Sequence, residues 1–102
     1  MGAMERHRKW VEALRAAVFD SKAQLEPAVR KAIGKNQEVP DALRAYVDKV
    51  ARHAYKVTDE DVLALKQAGY SEDQLFEVTV SAAVGAGLAR LEKGLSVLRG
   101  GR

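Results

Sequence analysis

The sequence predicts an all-α protein: one compact helical bundle with a long C-terminal helix. Three observations carry that prediction. Leu43, Tyr46, Val47, Val50, Ala51 and Ala54 recur at three- and four-residue spacing with charges between them, the stripe of an amphipathic helix. Two helix-start signals stand at Thr58 and Ser71. No stretch shows the alternation of apolar and polar residues that marks a half-buried strand.

Each element follows from local chemistry. Met1-Gly2-Ala3 reads as a cloning remnant, leaving 4–102 as the single domain. A first helix is expected from Met4 to about Asp20, with Trp10, Val11, Leu14, Ala17 and Val18 on one face. Pro27 suits the first turn of a second helix, and Gly34 suits the position just past its end. Lys35 to Val39 reads as a loop, and Pro40 opens the third helix. At Thr58 the hydroxyl can cap free backbone N–H groups, and Asp59, Glu60 and Asp61 complement the helix dipole. Val57 and Val62 form its hydrophobic staple, and this fourth helix stops at Gly69. Ser71 and Gln74 then make a capping box, with Tyr70 and Leu75 as staple.

The last helix is expected from Glu72 to about Leu98, roughly 40 Å at 1.5 Å per residue. Its middle, between Glu77 and Arg90, carries no charge on any side. A helix apolar all round needs cover all round, and one short chain has few elements to supply it. A second copy of the chain is therefore expected against it, making a homo-oligomer. Ser81/Gly85, Ala82/Ala86 and Ala83/Gly87 are small pairs that let another backbone come close. The alternative is a helix that kinks at Gly85 or Gly87 and folds back on its own chain.

Composition narrows the function classes. The chain of 102 residues contains no cysteine, which excludes thiol catalysis, Cys-type zinc sites and disulfide staples. The longest uncharged run, Val78 to Ala89, is twelve residues and too short to span a bilayer. The charged run Glu5 to Lys9 stands where a secretory leader has its apolar segment, so a cytoplasmic location is expected. Residues 1–56 carry twelve Lys/Arg against seven Asp/Glu, and residues 57–102 carry five against seven. These charges alternate in sign along helix faces instead of forming a basic stripe with aromatics, so neither nucleic acid nor membrane is an expected partner. The opposed signs suit packing of one half against the other, between subunits if the chain is oligomeric.

Candidate chemistry is sparse. His7 and His53 are far apart and lack ligands at metal-site spacing, so no metal or other cofactor is expected, and His7 should face solvent. Helical geometry puts Tyr46, Lys49 and His53 on one edge of the third helix. As a catalytic set, His53 would move a proton, Tyr46 would donate a hydrogen bond and Lys49 would anchor a carboxylate, keeping the imidazole neutral. As ordinary residues they would simply be packed and hydrogen-bonded. Glu77, at the margin of the uncharged segment, is either a last polar residue or a buried partner for an Arg or His. Gly85-Ala86-Gly87 lies inside a helical pattern with no preceding strand, which excludes a phosphate loop.

One stretch is familiar. Val57-Thr58-Asp59-Glu60-Asp61-Val62, Leu65, Ala68-Gly69-Tyr70-Ser71-Glu72-Asp73, Phe76-Glu77-Val78 and Arg90-Leu91-Glu92-Lys93-Gly94-Leu95 occur in that order. The segment Tyr46 to Leu98 resembles the alkylhydroperoxidase D-like superfamily, which includes the carboxymuconolactone decarboxylases. The resemblance implies an all-α bundle assembled as dimers, trimers or hexamers. The peroxidase branch carries Cys-x-x-Cys with a His four residues on; with His53 set on that His, Tyr46 and Lys49 fill the cysteine positions and Gly34 the place of an acid. Without a thiolate nothing attacks a peroxide. Two functions follow as expectations. The first is a non-catalytic oligomer that is structural, partner-binding or a binder of a small acidic or apolar molecule. The alternative is a cofactor-free decarboxylase-like enzyme on a small carboxylic acid.

Overall fold

A computed structural model describes the backbone of residues 2–100 and the side chains from Arg8 to Gly100. Met1 and the side chain of His7 lie outside the described residues, and with them the expected exposure of His7; Gly2 and Ala3 fall within α1. Five α-helices follow one another: α1 (Gly2–Arg15), α2 (Pro27–Lys35), α3 (Asp41–His53), α4 (Asp59–Gln67) and α5 (Glu72–Leu98). A π-helical turn, Ala16–Asp20, continues α1, and a 3-10 turn, Ala54–Lys56, continues α3. No strand occurs among the described residues.

The cap chemistry works as the residue types require. Thr58 accepts from the Asp61 N–H while the Asp61 carboxylate accepts from the Thr58 N–H, closing a capping box at α4. Ser71 and Gln74 do the same at α5. Between them Gly69 takes φ +108°, a left-handed conformation that suits glycine. Val57, Val62 and Tyr70 pack against the core, and Leu75 lies within it.

Helix α5 is the spine, packed most extensively on α2 and then on α3. Ile33, Leu43, Val47 and Val78 are fully buried where the three meet. It runs unbroken from Glu72 to Leu98, which removes the fold-back alternative. The principal extents, 49 × 28 × 21 Å, describe an elongated molecule. Its radius of gyration, 15.0 Å, exceeds the roughly 13 Å of a spherical domain this size. Helix α5 alone spans roughly 40 Å, and α1 lies along its far end with few contacts to the rest of the bundle.

Gly34 is not the residue past the end of α2. It lies inside that helix, and Asn36, at φ 53°, takes the left-handed cap position instead. Tertiary packing explains the difference. Gly34 faces Gly85, and these two glycines are where α2 crosses α5. A Cβ on Gly34 would also stand 2.6 Å from the Phe19 ring. Gly85 thus receives a helix of its own chain, whereas the sequence assigned its whole small-residue set to a second copy. Ser81 and Ala82 are buried in the same inward face.

Candidate functional site

Tyr46, Lys49 and His53 share α3, but their polar ends go to three different places. The Thr79 hydroxyl donates its proton to the Leu75 carbonyl at 2.7 Å. The Tyr46 phenol, 2.7 Å from the Thr79 Oγ1, must therefore be the donor in that pair. Its proton is already placed, in a half-buried bond between α3 and α5.

Lys49 Nζ donates to Asp61 Oδ2 at 2.9 Å, and the same oxygen accepts from the Thr58 N–H at 2.9 Å. One carboxylate thus closes the α4 cap and ties α4 to α3. His53 ends α3 with φ −142°, is exposed, and meets the exposed Tyr55 ring edge-on at 6.1 Å. None of the three lines the groove between α1 and α5, the groove beside Asp41 and Arg44, or the cationic groove at the α2–α5 crossing. Among the described residues, no three His, Asp or Glu side chains are placed to hold a metal ion, and no helix is long and apolar enough to cross a membrane.

Two carboxylates sit below their ordinary values. The hydrogen bond from Lys49, then that from the Thr58 N–H, holds Asp61 down against the opposing effect of burial. The Lys66 ammonium at 2.6 Å does the same for Glu72. A carboxylate lowered in the native state contributes stability at pH values above its unfolded value and loses it as pH falls through the lowered native one. Stability should therefore be flat from neutral pH to about 5 and fall below about pH 4. In Asp61→Asn the acid limb of a melting-temperature profile should be shallower than in the unaltered chain; an unchanged limb would remove this pair from the account.

Two charged residues matter more to architecture than the sequence suggested. Arg30, 2% exposed, is a buried clamp on the segment between the π turn and α2. Its guanidinium donates to the Val18 carbonyl at 2.6 Å, the Leu25 carbonyl at 3.1 Å, and the Ser21 carbonyl. Glu77 serves the same segment from α5, accepting from the Gln24 N–H at 2.9 Å and the Leu25 N–H at 2.8 Å. Neither expectation for Glu77 fits: its partners are backbone amides. Nothing local in the sequence distinguishes Arg30 from the other cations.

The groove at the α2–α5 crossing has a volume of about 770 Å³. Its floor is apolar, built by Phe19, Gly34, Gly85, Leu88 and Ala89. Its rim carries Arg15, Lys31, Lys35, Arg52 and Arg90 against two acids, Asp20 and Glu92. Arg90 donates to the Ala51 carbonyl at 2.8 Å, satisfying one of the free carbonyls at the end of α3. Sequence reading missed this site because its cations come from α1, α2, α3 and α5, far apart along the chain.

A second feature is the outward face of α5. At 100° per residue, Phe76, Val80, Ala83, Gly87, Leu91, Gly94 and Leu98 fall within an arc of roughly 80°. Phe76 is 69% and Leu98 82% exposed, and no atom lies within 4 Å of where a Cβ on Gly87 or Gly94 would stand. On α1, Trp10 is 76% exposed and Leu14 is also exposed, so much of the expected stripe of that helix has no cover from its own chain. Comparison with family models, curated proteins and solved structures finds no match for this chain.

Proposed function

We propose that this chain is a non-catalytic, self-associating helical module of the alkylhydroperoxidase D-like type, acting in the cytoplasm. A second copy occupies the outward face of α5. The observation that carries this is the uninterrupted apolar stripe from Phe76 to Leu98, about 33 Å long, with the small residues Ala83, Gly87 and Gly94 along it. Contiguous apolar surface of that extent on a small protein marks an interaction site.

Complementarity points to another α5 as the partner. An antiparallel pair centred on Gly87 sets Val80 against Gly94 and Ala83 against Leu91, a larger residue against a smaller one each time, so the middle of the stripe can interdigitate. That arrangement sets the Glu72–Asp73 end of one helix beside the Arg99 end of the other, opposite in charge. It is also the self-complementary contact of a two-fold dimer.

The absence of cysteine leaves no thiol for peroxidase chemistry. The decarboxylase-like alternative needs the Tyr46 proton and the Lys49 charge available to a ligand. Both are engaged within the fold, by Thr79 and Asp61, and this weighs for the non-catalytic reading.

Gly87→Glu tests the reading. With open space beyond its Cβ, the new side chain disturbs nothing within one chain, while it puts a charge at the centre of the pairing face. Sedimentation velocity should show an assembly for the unaltered chain and a folded monomer for Gly87→Glu. Equal masses for the two would refute pairing through this face.

A further inference from the structure

We propose that the groove at the α2–α5 crossing binds an amphipathic monoanion, a carboxylate carrying a short unbranched apolar tail. Its size falls in the range of small-molecule sites, where apolar walls bury a ligand and a few polar groups orient it. The balance of charge at the rim favours an anion. Asp20 is paired with Lys31 at 2.9 Å, and Glu92 with Arg15 at 2.7 Å. Those pairs use both acids of the rim and leave Lys35, Arg52 and Arg90.

The three remaining cations are not equivalent. Arg52 has a partner outside the groove, Asp48, at 2.9 Å. Arg90 is held in place by its bond to the Ala51 carbonyl, and its guanidinium has further N–H groups to offer. That same bond occupies one of the carbonyls at the negative end of α3 and sets a positive charge beside it. Lys35 has no acidic partner among the described residues. A carboxylate seated between Lys35 and Arg90 meets two cations, and its tail lies over Gly34, Gly85 and Leu88.

The tail has an apolar floor to lie on. At the crossing, Gly34 and Gly85 bring the two backbones together, and both line the groove beside Phe19 and Leu88. A bulky charged head with no tail, such as inorganic phosphate, would use the rim and leave the floor in contact with water. This site does not depend on pairing through α5.

The test is an amide-resolved NMR titration of the full chain with sodium octanoate, with octylammonium chloride, octanol and sodium phosphate as separate probes. Octanoate should produce saturable shifts at Gly34, Asn36, Gly85 and Ala89. Octylammonium and phosphate should leave these amides unmoved at the same concentration, and octanol should bind at least about tenfold more weakly. Lys35→Glu should raise the octanoate Kd by about tenfold or more in a chain that still folds, the reversed charge in the last turn of α2 lowering the melting temperature by only a few degrees. Octylammonium binding as well as octanoate, phosphate producing the same shifts, or an unaltered Kd in Lys35→Glu would each overturn the proposal. So would octanoate shifts centred on Trp10 and Phe76 instead of the groove.

Discussion

Gly85→Ala should lower the melting temperature by at least about 8 °C. Two effects of opposite sign compete at this position. Alanine is the better helix former in the interior of α5, by about 1 kcal/mol. Against this, its Cβ would stand 2.6 Å from the carbonyl carbon of Gly34 and closer still to the Gly34 oxygen and Cα. These are backbone atoms of another helix, so no rotamer change relieves the overlap. Separating α2 from α5 to van der Waals distance also loosens Ile33 and Val78, and overpacking on this scale costs about 3 kcal/mol. The steric cost wins by about 2 kcal/mol. Gly34→Ala should cost less, because the overlap there is with the end of the Phe19 ring, a side chain that can turn. Melting followed by far-ultraviolet circular dichroism checks both; a Gly85→Ala chain as stable as its parent would show that the helices do not cross at these glycines.

Arg30→Met should destabilise the chain by about 3 kcal/mol, although methionine matches much of the arginine volume. The loss is in hydrogen bonds: the Val18, Ser21 and Leu25 carbonyls all lose their common donor. A partly buried acceptor left unpaired costs about 1–3 kcal/mol, and solvent entering the 21–26 segment recovers part of that. Arg30→Lys should fall between the two, because an ammonium is a single point and cannot reproduce the guanidinium fork. Urea unfolding gives the difference directly. Amide exchange at Gln24 and Leu25, which are held by Glu77, should accelerate in Arg30→Met, since the two charges fix one segment from opposite sides. A loss within 0.5 kcal/mol would mean that Arg30 is not the clamp described here.

The parts legible in the sequence were those decided by neighbours along the chain. Ser71 with Gln74, and Thr58 with the acids after it, announce helix starts within a few residues, and the structure places α4 and α5 at those starts. The start of α5 follows from its cap, and no proline interrupts it on the way to Leu98. Gly34 is the counterexample. Its residue type suited a helix end, yet a contact with Gly85, fifty-one positions away, keeps it inside the helix and passes the left-handed position to Asn36. The π turn at 16–20 has no sequence signature either; it carries Phe19 into the bundle beside Gly34.

The candidate sites show the same division. Counting 100° per residue correctly put Tyr46, Lys49 and His53 along one helix, but the hydroxyl of Thr79 and the carboxylate of Asp61, which engage the first two, arrive from other helices. The cationic groove was invisible because no two of its elements announce their meeting in the sequence. By contrast, the demand for an external partner on α5 came from composition alone, and its outward half remains uncovered in the folded chain.

Native mass spectrometry of the unaltered chain at micromolar concentration tests the central claim most directly. Pairing of outward α5 faces predicts an even-numbered assembly, a dimer or a set of dimers, that persists after dilution into volatile buffer. A monomer across the whole concentration range would contradict it: the stripe from Phe76 to Leu98 would then stand open to water in the working protein, and the self-associating function would fall with it.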